Sequence, residues 1–533
     1  MNAARLLERA VGANASCRYR DAVRLCDVAL NLRPSDELEA ELRLERASAL
    51  AQTGKWTRAE RDCRSALGVR ESARGRMLLA RCKLERGAAA EALAEINAAR
   101  ALDPDTSVEW RLHARALSGA GRHEPAAELA RHARESGEVE GLKTLVAVLA
   151  AGGRHEELIL LLRERVAVAP HDVDSWTSLG LSHNALGQSD EAVTALRHAV
   201  TLDPLRRDAG YGLAVALLRL GHFEEGFFYH EYRQRDPRGI WRFGVRDWKG
   251  ESLASSRLLV LAEQGYGDVI QFARFVPWAR RLAKELVFLV PPSLEQVFRS
   301  NPELDVVSTT HPGFGTADCQ ALLLSLPHLL GAGDDLATSS LPLVFPEPER
   351  RERWLKLLPP GPKIAFAWQG NPDYAGDRWR SMPLAYFEPL FESSRPDVTW
   401  LSLQKRFGRE QLLAMPPRTN VVDLGGVIDE DGAAFVDSLA VLSCVDLFIT
   451  TDTALAHLAG SAGIPTWLLL SYAAEWRWGI GCQTSAWYPG MRLFRTPGWG
   501  DWSALIRGVH AELEAHPVSY GECRSASRCN SSF

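Results

Sequence analysis

The sequence predicts an α plus α/β protein, an α-solenoid of helix pairs followed by two lobes of alternating strands and helices. Three observations carry this expectation. Glycines recur at Gly54, Gly87, Gly121, Gly153, Gly187 and Gly221, at intervals of 33, 34, 32, 34 and 34 residues. After Trp248 the pattern changes to short, continuous apolar runs separated by helix-like segments. A Pro-rich stretch around 342–362 divides those runs into two sets. At 533 residues the chain is also too long for one ordinary domain.

The repeat has a skeleton beyond its glycine. Five residues after the glycine stand Ala59, Ala92, Ala126 and Ala192; twelve after it stand Ala66, Ala99, Ala133 and Ala199. Seventeen after it come Pro104, Pro170 and Pro204. An earlier unit keeps Ala22, Ala29 and Pro34 without the glycine. A glycine permits the tight turn between two amphipathic helices. Alanines let those helices approach closely, and proline ends the second helix. The unit resembles the tetratricopeptide family. Its fullest copy runs from Trp176 through Leu179, Gly180, Gly187, Ala192, Leu196 and Ala199 to Pro204. About seven units fit into residues 1–235. Stacked units of this kind form a concave groove, so a protein or peptide partner is expected there; a spacer or a dimerisation surface is the plainer reading.

Residues 236–256 read as a linker. Strands are expected at 257–262, 286–290, 305–308 and 321–325, then at 363–368, 399–403, 421–424, 447–450, 466–470 and 492–494. Continuous apolar strands with helices between them indicate parallel sheets covered on both faces. The first lobe is placed at 257–350, the second at 351–515, and a disordered tail at 516–533. Ligands of such lobes sit beyond the carboxyl ends of the strands.

Bulk properties narrow the function. The chain is 46% hydrophobic and 24% charged, ordinary for a globular protein, and its net charge of −5 argues against a nucleic-acid surface. Nine cysteines without a Cys-x-x-Cys pair indicate neither a disulfide framework nor a zinc site. The charged N-terminus does not read as a signal peptide, and no apolar run reaches membrane-spanning length. A cytoplasmic location is expected.

Four constellations carry chemistry. The first strand runs into Glu263-Gln264-Gly265-Tyr266-Gly267-Asp268. Gly265 and Gly267 let the backbone bend and approach a ligand, while Ile270 occupies the place where a dinucleotide fingerprint needs glycine. Asp268 can cap the following helix or take a proton from an attacking hydroxyl. Gln369, Gly370 and Asn371, followed by Arg380 and Ser381, form a polar loop at a strand end. Arg380 can match a diphosphate, or it can pair with Asp373 or Asp377. Thr451, Asp452 and Thr453 can cap a helix whose free N–H groups suit phosphate, with His457 on its first turns, where a histidine is more often a structural hydrogen-bonder than a catalyst. Finally, 475–478 and 487–489 are aromatic-rich, and core packing is favoured there over base stacking. Asp429-Glu430-Asp431 reads as a solvated loop rather than a metal pair.

Together, 221–233, 262–272, 367–383, 402–405, 446–467 and 476–501 resemble glycosyltransferase family nine, the heptosyltransferase group, in its repeat-bearing bacterial form. The resemblance implies a GT-B fold of two Rossmann-like lobes, acceptor on the first and donor on the second. It implies Asp268 as general base and Arg380 beside the donor phosphates. It implies Gln369, Asn371, Ser381, Gln404, Asp452, Thr453 and Ala454 in the donor site, with His457 near the chemistry. No metal and no cofactor are expected, the nucleotide sugar being a substrate. The expected reaction is inverting transfer to a hydroxyl, on a protein held by the repeats. The short first lobe departs from heptosyltransferases and points to a different acceptor. In carrying repeats the chain is similar instead to O-linked protein glycosyltransferases and to the transferases proposed to modify flagellin. Two alternatives stay open: a repeat scaffold with a degenerate transferase domain, and a transferase acting on a lipid-linked or polysaccharide glycan.

Overall fold

The computed structural model describes residues 2–104, 110–137, 140–235, 244–304, 306–308, 317–333, 342–374, 376–392, 397–430 and 432–515. The expected tail at 516–533 lies outside them. The chain divides into two compact units, Met1–Val168 and Ala169–Phe533.

Among the described residues the first unit holds five helix pairs, from Ala3–Ala15 with Tyr19–Asn31 to Gly141–Ala151 with His155–Val168. The repeat skeleton explains their packing. Gly54, Gly87, Gly121 and Gly153 all have positive φ, between 71 and 83°, in the turn joining each pair. In the first pair Cys17 takes that position, with φ 55°. The skeleton alanines Ala22, Ala29, Ala59, Ala92, Ala99 and Ala126 are fully buried. Buried acids are paired: Asp62 with Arg46 at 2.7 Å, Glu45 with Arg74 at 2.6 Å, and Glu95 with Arg76 at 2.7 Å.

The second unit begins with two more helix pairs of the same kind, Val173–Ala185 with Ser189–Leu202 and Arg207–Arg219 with Phe223–His230. Gly180 is required by space rather than by φ, since a Cβ there would sit 2.3 Å from Leu196. The final pair is built differently on its outer face. Phe227 is buried against Phe272, Trp476 and Trp487, at ring-centroid distances of 6.2, 6.1 and 6.4 Å. These rings belong to the α/β part, so the last pair shares its hydrophobic core.

The first α/β lobe holds β1 (Arg246–Asp247), β2 (Leu253–Leu261), β3 (Ala283–Val290), β4 (Val306–Ser308) and β5 (Cys319–Leu322). They form one parallel sheet in the order β1-β5-β2-β3-β4. The second lobe holds β6 (Lys363–Ala367), β7 (Thr399–Ser402), β8 (Val421–Asp423), β9 (Leu447–Thr451), β10 (Thr466–Leu470) and β11 (Met491–Arg495). It too is parallel, in the order β11-β10-β9-β6-β7-β8. All ten expected strands are present within a few residues. The two-residue β1, placed in the expected linker, carries too short an apolar signal to be read, yet Trp248 beside it is buried. The fold class is therefore the expected one: tetratricopeptide-like helix pairs, then two Rossmann-like lobes of the GT-B kind.

Both sheets reverse their strand order at one point, and ligands of open parallel sheets bind at such points. In the first sheet the chain steps from β2 outward to β3 and β4, then returns to the other side of β2 as β5. In the second, β6 leads outward to β7 and β8, and β9 returns beside β6. The loops leaving β2, β6 and β9 are those that carry the three polar motifs.

Candidate active site

The loop after β2 turns at Gln264, whose φ is 63°. The left-handed residue is thus not one of the two glycines, and Gly265 has an ordinary extended backbone at φ −81°, ψ 164°. The glycines serve close approach instead. A Cβ on Gly265 would meet Asp268 Oδ2 at 3.2 Å, and one on Gly267 would meet His457 Cδ2 at 2.9 Å. Gly267 therefore lets the Tyr266–Phe272 helix of the first lobe lie against the Ala454–Ser461 helix of the second.

Asp268 caps its helix and also reaches across the lobes. Its Oδ2 accepts the Gly265 N–H at 3.0 Å, closing the helix N-terminus. Its Oδ1 pairs with the guanidinium of Arg477 from the second lobe. Arg477 also meets Glu475 at 2.7 Å and donates to the Gln271 side chain. Its guanidinium lies 4.6 Å from the Trp476 ring centroid. Burial works hardest against the Arg477 charge, but Glu475 and Asp268 outweigh it and hold its pKa above the usual value. The expectation of core packing for 475–478 holds for Trp476 and Trp478, which are buried, but it passes over the arginine between them. An arginine inside an aromatic run needs carboxylate partners, and that is the available signal.

His457 is buried in the seam. Its Nδ1 lies 2.9 Å from the Tyr488 hydroxyl, and its ring stacks on Trp478 at 5.3 Å. Burial, then the nearby Arg477, Arg274 and Arg380, hold its pKa well below the ordinary value, so the ring is neutral. Its Nε2 is 4.0 Å from Asp452 Oδ1, beyond hydrogen-bond reach. Asp452 follows β9 directly. Burial above all, then Glu475, raises its pKa to about 6, against the pull of Arg380, Trp478 and Arg477. Thr453 is the N-cap of the Ala454–Ser461 helix, but its side chain makes no capping bond. The hydroxyls of Thr451 and Thr453 are both buried without a partner. Buried hydroxyls without a protein partner leave hydrogen-bonding capacity that a water or a polar ligand can take up.

The loop after β6 is organised by Asp377, which accepts from Ser381 Oγ at 2.8 Å and Arg380 Nε at 3.1 Å. Ser381 Oγ in turn accepts the Gly370 N–H at 2.9 Å. Arg380 thus takes the pairing with Asp377 foreseen from sequence through one nitrogen alone. Among the described residues its two terminal amino groups keep no protein partner, and its charge lies 4.7 Å from the Tyr374 ring centroid. Asn371 is exposed and accepts the Asp373 N–H at 3.0 Å.

Gln404 does something other than face a ligand. Its amide accepts from Trp368 N and Gln369 N and donates to Gln369 O and Phe407 O, between 2.7 and 3.1 Å. Those four bonds use the full capacity of an amide, so Gln404 ties two strand-end loops together. Gln369 is likewise engaged, its Oε1 accepting from Gln411 at 3.0 Å. Asp429 also differs from its expectation as a solvated residue. It is half-buried, which raises its pKa, and it accepts from Asp437 N at 2.6 Å at the start of the Val436–Leu442 helix. Asp431 lies outside the described residues. Among the described residues no cluster of three His, Cys, Asp or Glu is placed to hold a metal, and no helix is long and apolar enough to cross a membrane.

No family model matches the chain. A curated relative, Protein FlbA of Caulobacter vibrioides, is 25% identical over 462 residues, covering 72% of this chain and 74% of its own. Among solved structures, a tetratricopeptide repeat protein from Parabacteroides merdae aligns with 45% of this chain and 93% of its own, at 14% identity and a TM-score of 0.38. A glycosyl transferase family 9 protein from Veillonella parvula aligns with 50% of this chain and 98% of its own, at 14% identity and a TM-score of 0.37.

Proposed function

We propose that the chain is a glycosyltransferase that moves a sugar from a nucleotide-sugar donor to a hydroxyl on a protein acceptor. One observation carries the reading: across the lobe seam the loop after β2 meets the helix after β9, with Gly267 against His457, and Asp268 pairs with Arg477 from the loop after β10. The donor diphosphate lies against Arg380 and the N–H groups that open the Ala454–Ser461 helix. Asp452 repels phosphate and instead accepts hydrogen bonds from the sugar hydroxyls. Asp268 takes the acceptor proton through a lone pair left free by its cap and its ion pair. The acceptor oxygen bonds to the anomeric carbon as the bond from that carbon to the diphosphate oxygen breaks. The nucleoside diphosphate leaves with the electron pair, its charge held by Arg380 and the helix amides. His457, buried and neutral, positions the seam rather than moving protons. Gln369 and Gln404 hold the donor loops in place. Asn371, Ser381, Thr453 and Ala454 complete the donor wall, and the repeat array receives the protein acceptor, flagellin being one candidate class.

Calorimetric titration of the full chain with UDP, GDP, ADP and dTDP tests the donor assignment. One of them is expected to bind, and Arg380→Ala to weaken it by roughly 10–100-fold, the effect of losing a charge-assisted hydrogen bond of roughly 1.5–3 kcal/mol. Absence of binding by all four, or unchanged affinity in the variant, contradicts it.

A further inference from the structure

The site has a third wall. Helix Arg207–Arg219, from the last repeat pair, packs on the Trp476–Trp478 turn that presents Arg477. Tyr211 stands on that helix between Gly210 and Gly212, whose missing side chains admit Tyr232 and Leu181. Its ring lies 5.7 Å from His230, which is itself 6.2 Å from Trp476. His230 is fully buried and fixes the ring from behind. Tyr211 itself is only half-buried, and among the described residues its hydroxyl makes no hydrogen bond.

The groups that act on this hydroxyl are those of the site. Burial first, then the charge of Glu475, raise the Tyr211 pKa to about 12; Arg477, Asp268 and Tyr374 also act on it. Tyr211 keeps its proton at neutral pH, and its helix packs on the turn carrying Arg477, the partner of the carboxylate assigned as base. A second connection holds the end of the repeats to the same loop. Arg233, buried, donates to Glu263 Oε1 at 2.7 Å and to Ser325 Oγ at 2.7 Å. Glu263 opens the Glu263–Asp268 loop, and Ser325 follows β5, so both flank the reversal point of the first sheet.

We propose that Tyr211 is a substrate-contacting residue on the acceptor side, hydrogen-bonding the hydroxyl-bearing segment of the protein acceptor beside Asp268. The inference rests on the transferase reading above and extends it. The repeat helices then do more than recruit the acceptor at a distance, because the last of them forms part of the transfer site. A phenol fixed by His230 supplies one donor and one acceptor to the incoming chain, and its ring a flat apolar surface.

The test uses the full chain, returned to a strain deleted for it, as Tyr211→Phe and Tyr211→Ala. Three readouts are taken: glycan mass on the cell's proteins, calorimetric binding of UDP, GDP, ADP and dTDP, and the thermal melt. The expected result is a tenfold or greater loss of glycan occupancy in both variants, with nucleotide affinity and melting unchanged. Tyr211→Phe keeps the ring and its packing, so its loss isolates the hydroxyl. Full occupancy in both variants overturns the inference. Nucleotide affinity falling in step with occupancy overturns it as well, moving Tyr211 to the donor side. If the deletion itself changes no glycan mass, the transferase reading falls, and this inference with it; that outcome is read before any Tyr211 variant is made.

Discussion

The first five helix pairs and the last two share one skeleton but bury different things. In Met1–Val168 the interior between helices is alanine, leucine and paired charge: Arg46 with Asp62 and Asp27, Arg76 and Lys83 with Glu95. In the last pair the burden shifts to rings, with Phe223 meeting Trp487 at 5.5 Å and Phe227 enclosed by Phe272, Trp476 and Trp487. The skeleton of glycine, alanine and proline therefore specifies only that two helices pair. The residues outside it decide whether a pair stands among other pairs or becomes part of the body that holds the site.

The largest expected effect follows from that contrast. A chain of residues 169–533 should melt cooperatively, while one of residues 236–533 should fail to fold or lose most of its stability. Removing the last pair strips Leu218, Phe223 and Phe227 from the shared core, and one large aromatic lost from a core costs about 3–5 kcal/mol, against about 5–15 kcal/mol for a whole domain. Circular dichroism melts of the two chains decide it; equal melting temperatures would dissolve the contrast.

Charge sharpens it next. Asp452 carries a folded pKa of about 6, above its unfolded value. Its stability contribution is thus present at low pH and lost as pH rises through 6. Asp452→Asn should stabilise the chain at pH 8 by on the order of 3 kcal/mol, and by little near pH 4. Glu95 in the first unit behaves oppositely. Burial opposes its charge, but Lys83 and Arg76 prevail and lower its pKa, so its contribution is present at neutral pH and lost on acidification. Glu95→Gln should cost about 1 kcal/mol at pH 7. Denaturant titrations at the two pH values measure both, and the same sign in both variants would contradict the assignment.

The smallest effect concerns Cys17, which holds a left-handed turn where its counterparts are glycines. Cys17→Gly should raise stability by about 0.5–1 kcal/mol, visible as a higher midpoint in the transition of the first unit. A lower midpoint would mean the thiol contributes contacts that outweigh the backbone strain.

Much of the fold was legible because its signals are periodic. Glycine spacing revealed the repeats, and apolar runs revealed every strand but β1, whose two residues carry no pattern. The motifs after β2, β6 and β9 were legible as polar loops at strand ends. Their internal division of labour was not, because it depends on which side chains meet across distant segments. Gln404 reads as a ligand contact until its four bonds are counted, and Arg477 reads as core until Asp268 is found beside it, 209 residues away. Tyr211 was hidden more deeply, since within a repeat its place is that of any half-buried helix residue.

With Asp268 as base, sugar transfer depends on its carboxylate. The most direct measurement incubates the purified chain with a panel of radiolabelled nucleotide sugars and a protein extract of the deletion strain, and follows label into protein. The wild-type chain should transfer label from one donor, and Asp268→Asn should lower that rate by about 10²–10⁴-fold, assayed well below its melting temperature because the variant also weakens the pair with Arg477. Transfer by the Asn variant at the wild-type rate would remove Asp268 as the base, and no transfer from any donor by the wild-type chain would remove the transferase assignment itself.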